Sequence, residues 1–175
     1  LRAGAEIFHI LKQLLNKKNL STSVGDEGGF APNFNSNKQC LDMISQAVEK
    51  SNYSLGKDIY LGLDVASTEF YSKSKYNLAG ENLILSSEKL VLYYENLIKN
   101  YPIISIEDPM SENDWSGWEE TTHCIGEKCQ LVGDDLFVTN IDRLKKGINK
   151  KCANSILIKL NQIGTVSETL ETIEL

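Results

Sequence analysis

Three times in the second half of the chain, a short apolar run stops at one ionisable residue and gives way to a helical pattern. The runs are Ile103-Ile104-Ser105-Ile106-Glu107, Gln130-Leu131-Val132-Gly133-Asp134 and Ser155-Ile156-Leu157-Ile158-Lys159. The helical patterns lie near Trp115 to Cys124, from Ile141 to Lys150, and from Val166 onward. An earlier run, Ile59 to Asp64, also ends in a charge and is followed by a polar stretch and a helix over Ser87 to Asn100. Runs this short and this apolar read as strands buried on both faces. Strands alternating with helices imply βαβ units and a parallel sheet. The spacing suits either a (β/α) barrel or a doubly wound sheet. A complete barrel takes about 250 residues, so the 175 residues here fit a partial one.

The first third reads differently. Ala3, Ile7, Phe8, Leu11, Leu14 and Leu15 fall on one helical stripe within Leu1 to Lys18. A second helix is expected over Lys38 to Lys50, capped by Ser36 or Asn37, with Cys40, Ile44, Ala47 and Val48 inward. The polar stretch holding Lys73, Lys75 and Asn77 suggests a small hairpin, and Thr165 with Glu168 forms a capping-box pattern.

Composition narrows the function. Lys plus Arg is 18 against 24 Asp plus Glu, a net charge of −6. That weighs against nucleic acid as a partner, because phosphate backbones are bound by clustered cations. It does not weigh against a phosphorylated metabolite, since a metal ion can supply the positive charge. No apolar run reaches the roughly 18 residues of a membrane span, and no signal-peptide pattern opens the chain. Cys40, Cys124, Cys129 and Cys152 lack zinc spacing and read as reduced thiols of a cytoplasmic protein. With Leu1 first and Leu175 inside a helical pattern, residues 1–175 read as a piece of a longer polypeptide.

The charges carry the functional signal. In parallel α/β folds the carboxyl ends of the strands form the active face. Asp64, Glu107, Asp134 and Lys159 would then meet at one mouth. Three carboxylates without His or Cys make a hard oxygen site suited to Mg²⁺ or Mn²⁺. Asp108 and Asp135 would support them, Asp135 by holding Lys159 or a ligand. A cation beside Lys159 would lower its pKa and free the amine to act as a base; otherwise Lys159 is a structural partner of Asp134 or Asp135. The stretch Ser23-Val24-Gly25-Asp26-Glu27-Gly28-Gly29-Phe30-Ala31-Pro32-Asn33 holds two acids in a permissive backbone. Asp26 or Glu27, desolvated there, could serve as an acid; the plain alternative is a polar turn.

GDEGGFAPN, LGLDVASTEF, SIEDP, LVGDDLFVTN and SILIKLNQIGTVSETL occur in this order along the chain. The sequence thereby resembles the enolases, in wording closest to the bacterial ones, across Leu1 to Leu175. The resemblance implies an α/β fold, a partial (β/α)8 TIM-type barrel of the enolase superfamily, with mostly parallel strands and helices outside. It implies that residues 1–175 are an incomplete C-terminal barrel domain, with the amino-terminal domain and the end of the barrel absent. It also implies a cytoplasmic lyase that reversibly dehydrates 2-phosphoglycerate to phosphoenolpyruvate with Mg²⁺ as cofactor. By motif, Lys159 takes the C2 proton and Glu27 protonates the leaving hydroxide. Asp64, Glu107 and Asp134 bind Mg²⁺, and Glu107, Asp134 and Lys159 face the substrate. The family's serine loop, its histidine loop and a later Ser-His-Arg segment have no counterpart here, so these 175 residues alone are expected to be inactive. A homodimer is implied for the full-length protein. Neither His9 nor His123 matches a family histidine, and Met110 departs from the Phe or Gly of many relatives in a way that should touch packing only.

Other readings fit less well. Sugar-acid dehydratases and racemases of the same superfamily generally lack the GDEGG and ILIKLNQIGT segments. A polymerase Gly-Asp-Asp lies in a hairpin turn, whereas Gly133-Asp134-Asp135 follows a strand and leads to a helix cap at Thr139-Asn140. Nothing in the sequence locates a protein-docking site.

Overall fold

The computed structural model describes all 175 residues, in two compact units. The first comprises residues 1–60 and 79–82. Helix α1 (Arg2–Lys17) packs Leu14 and Leu15 against Met43 and Ala47 of helix α2 (Asn37–Glu49), with Ile7, Ile10, Leu11, Leu20, Phe30 and Phe34 around them. Helix α2 starts where it does because the Ser36 hydroxyl accepts the Gln39 N–H at 3.1 Å, a cap worth about 1 kcal/mol. Its buried residues are Leu41, Met43, Ala47 and Val48. Cys40 and Ile44, expected inward, are half-buried, because the packed face is broader than one stripe.

The glycine-rich stretch is a closed turn. Val24 and Phe30 pair as an antiparallel bridge, and the Gly25 N–H donates to the Gly29 carbonyl at 2.8 Å. Gly28 sits at φ +83°, which only glycine adopts readily. Phe30 stacks on Phe8 with centroids 4.2 Å apart, fixing the turn to α1.

The second unit holds residues 61–78 and 83–175. Its main sheet is parallel, in the order β1 (Leu61–Asp64), β5 (Ile103–Glu107), β6 (Gln130–Gly133), β7 (Ser155–Ile156). Parallel strands added strictly in chain order fit a barrel; a doubly wound sheet reverses its order at a switch point. Between β1 and β5 lie three short antiparallel strands, β2 (Tyr71–Ser72), β3 (Lys75–Leu78) and β4 (Leu83–Leu85), and helix α3 (Ser87–Asn100). The expected hairpin is therefore a three-stranded meander. Helices α4 (Trp115–Ile125) and α5 (Ile141–Lys150) follow β5 and β6. A short helix α6 (Leu160–Ile163) and helix α7 (Val166–Glu174) end the chain. At the cap of α7 the Thr165 hydroxyl accepts the Glu168 N–H at 3.2 Å and donates to the Glu168 carboxylate at 2.5 Å.

One strand is shorter than its sequence suggests. The run to Lys159 reads as strand throughout, yet β7 ends at Ile156. Strand β6 stops at Gly133, whose carbonyl still takes the Leu157 N–H at 3.1 Å. Further on, the Lys159 N–H goes to the Thr139 hydroxyl at 2.9 Å, and the chain leaves the ladder.

The two ends of this sheet have different tasks. At the amino ends of β6 and β7, Asn154 ties backbone together: its side-chain oxygen accepts the Leu131 N–H at 2.7 Å, and its amide donates to the Gly126 and Cys129 carbonyls at 2.8 and 3.0 Å. At the carboxyl ends stand the charges. Below them the unit buries Tyr76, Tyr94, Ile106, Met110, Trp118, Leu131, Leu136 and Phe137. A Cβ added at Gly133 would lie 2.6 Å from the Phe137 ring, and one at Gly147 would lie 2.4 Å from it, so both positions must stay small for this ring to fit.

Candidate active site

Strands β1 and β5 run side by side, and beyond a bulge between Leu61 and Gly62 their pairing sets Asp64 opposite Glu107. Both strands finish there, so both carboxyls stand at the same rim. Asp134 follows β6 directly and is 7% exposed. The Lys159 Nζ donates to its Oδ2 at 2.5 Å. Asp64 faces Glu107 across the strand pair and Lys159 is bonded to Asp134, and the charges of Asp64, Asp134 and Lys159 all act on Glu107; the carboxylates gathered most closely are Glu107, Asp108 and Asp134, with Asp108 where Asp64 was expected.

Crowding shows in the electrostatics. The Glu107 carboxyl is pushed up by burial first, then by Asp64 and Asp134. Asp135 is pushed up by burial and by Asp134. Carboxyl oxygens of Glu107, Asp108 and Asp134 lie within 4.8 Å of one another. Like charges this close repel one another, and a cation between them removes the cost. The donor set is oxygen only, the chemistry that hard divalent cations select. The residues present therefore fit a Mg²⁺-type ion.

Asp108 has a role beyond general support. Its backbone sits at φ +42°, a left-handed conformation that Asp tolerates better than most residues. This turns its side chain beneath the next loop, where Oδ1 accepts the Asp134 N–H at 3.1 Å and Oδ2 accepts the Asp135 N–H at 2.9 Å. The carboxyl is 3% exposed and pushed up to about 6 by burial, with the N–H groups of Asp135, Asp134 and Leu136 opposing that shift. With both oxygens occupied by backbone, Asp108 clasps the loop that presents Asp134. Asp64 is the more open carboxylate.

Two residues have no expected place at the site; the sequence marks Thr139 only as part of a helix cap, a role that Asn140 takes. The Gln162 amide donates to Asp134 Oδ1 at 2.7 Å. Thr139, fully buried, donates its hydroxyl to Gln162 Oε1 at 3.2 Å while accepting the Lys159 N–H. Val138 and Thr139 sit at φ +45° and +53°. Left-handed backbone at β-branched residues costs about 1–3 kcal/mol each and persists only where the surroundings enforce it. The available signal was spacing: Gln162 lies one helical turn after Lys159.

Lys159 pairs with Asp134, the acid named in one of its two readings, and not with Asp135. That hydrogen bond raises the ammonium pKa, with burial opposing the rise and the charges of Asp134, Glu107 and Asp135 adding to it. Asp26 and Glu27 belong to the first unit, and both are exposed. The desolvation expected for one of them is absent from that unit, because the turn's backbone groups pair with each other and leave both carboxylates outward.

Comparison with known proteins agrees with this arrangement. Residues 1–175 match, over their whole length, the family described as enolase, C-terminal TIM barrel domain. The enolases of Helicobacter pylori strains J99 and Shi470 are 61% and 60% identical to the chain over 176 aligned positions. Each alignment covers 100% of this chain and 41% of the relative's own length. With its parallel strand order and a family match over residues 1–175, the chain belongs to the enolase family through its C-terminal TIM barrel domain.

Proposed function

We propose that this chain is the barrel part of an enolase that reversibly dehydrates 2-phosphoglycerate to phosphoenolpyruvate and water. The observation that supports the reading is that Asp64 and Glu107 end adjacent parallel strands, Asp134 follows the next strand with its carboxyl close to that of Glu107, and Lys159, three residues beyond the last strand, bonds Asp134.

Lys159 is the base for the C2 hydrogen. As that proton leaves, the C2–H electron pair passes into the substrate carboxyl group; on its return it forms the C2–C3 double bond as the C3–O bond breaks. Glu27 supplies a proton to the departing hydroxide, which leaves as water. Asp64, Glu107 and Asp134 hold Mg²⁺, which when bound supplies positive charge to the substrate carboxyl group as negative charge builds there. Pairing of a Lys base with Mg²⁺ is a known pattern of such sites. Lys159 can accept a proton only when Asp134 no longer holds it as an ammonium partner, so the ion pair describes the protonated form of the base. Glu107 and Asp134 also face the substrate, and the full-length protein is a cytoplasmic homodimer.

The test is Lys159→Ala in the full-length enzyme, read by exchange of the substrate C2 hydrogen with deuterated solvent. Exchange should fall by at least about a hundredfold, the scale of a lost general base. Exchange at the wild-type rate would end the assignment. Residues 1–175 expressed alone should show no dehydration by product absorbance, because strands β1 and β7 are open edges of an unfinished sheet.

A further inference from the structure

The hydrogen bonds around Lys159 close into a ring. The Lys159 N–H donates to Thr139 Oγ1 at 2.9 Å, and the Thr139 hydroxyl donates to Gln162 Oε1 at 3.2 Å. The Gln162 amide donates to Asp134 Oδ1 at 2.7 Å, and Asp134 Oδ2 accepts from the Lys159 Nζ at 2.5 Å. The ring leaves and returns through the same residue, once by its backbone and once by its side chain. Every donor has one acceptor, so the direction is fixed. The carboxylate dictates that Gln162 presents its NH₂ to Asp134, and the amide oxygen is then free for Thr139.

Thr139 is the least adjustable member. It is fully buried at φ +53°, and the Thr172 hydroxyl donates to its carbonyl at 3.0 Å. Such an outlier needs a surrounding structure that enforces it, and it invites a functional explanation. Its hydroxyl is the one group that serves both the Lys159 backbone and the amide of Gln162.

Gln162 and Lys159 each take one oxygen of the Asp134 carboxylate, so the amide fixes the carboxylate against which the Lys159 amine is set, while Thr139 fixes the backbone from which that amine extends. We propose that Gln162 and Thr139 are positioning residues for proton transfer at Lys159: they hold the Asp134 carboxylate and the Lys159 backbone in the geometry that aims the amine. The inference rests on the reading of Lys159 as the base.

The experiment uses the full-length enzyme with Gln162→Met, Thr139→Val and Thr139→Ser. Met and Val keep the side-chain size and remove the hydrogen bond; Ser keeps the hydroxyl. The readouts are kcat, KM and the primary isotope effect with C2-deuterated 2-phosphoglycerate, together with hydrogen exchange of the Lys159 amide in metal-free protein. For Gln162→Met and Thr139→Val, kcat should fall about tenfold with KM within about threefold, and the isotope effect should rise as proton transfer becomes slower. Thr139→Ser should recover most of the kcat lost in Thr139→Val. The Lys159 amide should exchange faster in Thr139→Val than in Thr139→Ser.

Unchanged kcat overturns the proposal, and so does a lowered kcat with an unchanged isotope effect, which marks a general structural loss. Equal amide exchange in the Val and Ser variants overturns the ring itself. If Gln162→Met proves unstable, Gln162→Asn gives the same readouts, since it keeps the amide and shortens its reach. Lys159→Ala separates the two levels. If it retains C2 exchange, the base assignment fails; if it is inactive while Gln162→Met and Thr139→Val behave as wild type, only the positioning inference fails.

Discussion

Replacing Asp114 by alanine removes one acceptor that four donors share. Asp114 is buried at the head of α4. Its Oδ2 accepts from the Tyr76 hydroxyl at 2.8 Å and the Ser87 hydroxyl at 2.6 Å, and its Oδ1 from the Gly117 N–H at 3.0 Å and the Ser116 hydroxyl at 3.2 Å. Loss of the helix cap costs about 1 kcal/mol. The fully buried Tyr76 hydroxyl would lose its acceptor, worth about 1–3 kcal/mol. Half-buried Ser87 can turn toward water and adds little. The sum is about 2–4 kcal/mol, a large share of the roughly 5–15 kcal/mol of a typical domain. Urea unfolding followed by circular dichroism reads the total, and hydrogen exchange at the Gly117 amide reads the cap alone. Tyr76→Phe should cost less, because it strands only the Ser111 N–H that now donates to the Tyr76 oxygen at 3.0 Å. The double variant is the sharp test. If the shared hydrogen bond is what matters, the pair should be less than additive by about 1 kcal/mol or more. Additivity within about 0.5 kcal/mol, or an Asp114→Ala cost below about 1 kcal/mol, refutes the account.

Gly147→Ala should destabilise by about 1–3 kcal/mol in thermal unfolding, since the Phe137 ring is confined by Gly133 on another side and cannot retreat. Burial pushes the Cys129 and Cys152 thiols up to about 11 from 9.0. The folded state therefore holds protons that the unfolded chain has released between those values. Stability is intact below pH 9.0 and falls as pH rises toward 11, by about 3 kcal/mol per thiol at most. Urea midpoints across that range should fall, and Cys152→Ser should flatten part of the slope. Glu107→Gln keeps the shape and removes one of the three ligating charges, so Mn²⁺ affinity by calorimetry should drop about tenfold or more; unchanged affinity would exclude Glu107 as a ligand.

The elements that were legible are those set by local periodicity. Helices α3 and α5 and strand β5 span the residues their patterns indicate, because their apolar spacing and their packing agree. Strand β7 was misread because its last residues bond to a threonine side chain, a tertiary choice that alternation does not encode. The meander was only half visible. Its first turn places Lys73 and Ser74 at φ +50° and +57°, the backbone of a type I′ turn, without the Asn-Gly that announces one. The charged rim was legible because each acid closes an apolar run. The ring through Thr139 and Gln162 was not: a hydroxyl and an amide in a polar loop have no chemical signature until distances are known. Asp108 lay between these cases, visible as an acid beside an acid but with its task hidden in a left-handed backbone.

Holding acids together at a rim works only if the loops that carry them resist the repulsion. Asp108 clasps the Asp134 loop from the β5 side. Arg143 ties it from α5, donating from Nε to the Leu136 carbonyl at 2.5 Å and from Nη2 to the Glu112 carbonyl at 2.9 Å, so one guanidinium joins the loops after β5 and β6. Trp115 lies under that guanidinium at 5.4 Å and under the Lys146 ammonium at 4.1 Å. None of these groups accepts a proton from carbon or touches the reacting atoms in the reaction described. They offset the left-handed backbone at Val138 and Thr139 and the crowding of Glu107 with Asp134. The strain at the mouth is thus supported from beneath by contacts the chemistry does not consume, which is why substitutions one layer below the carboxylates should alter the rate before they unfold the chain.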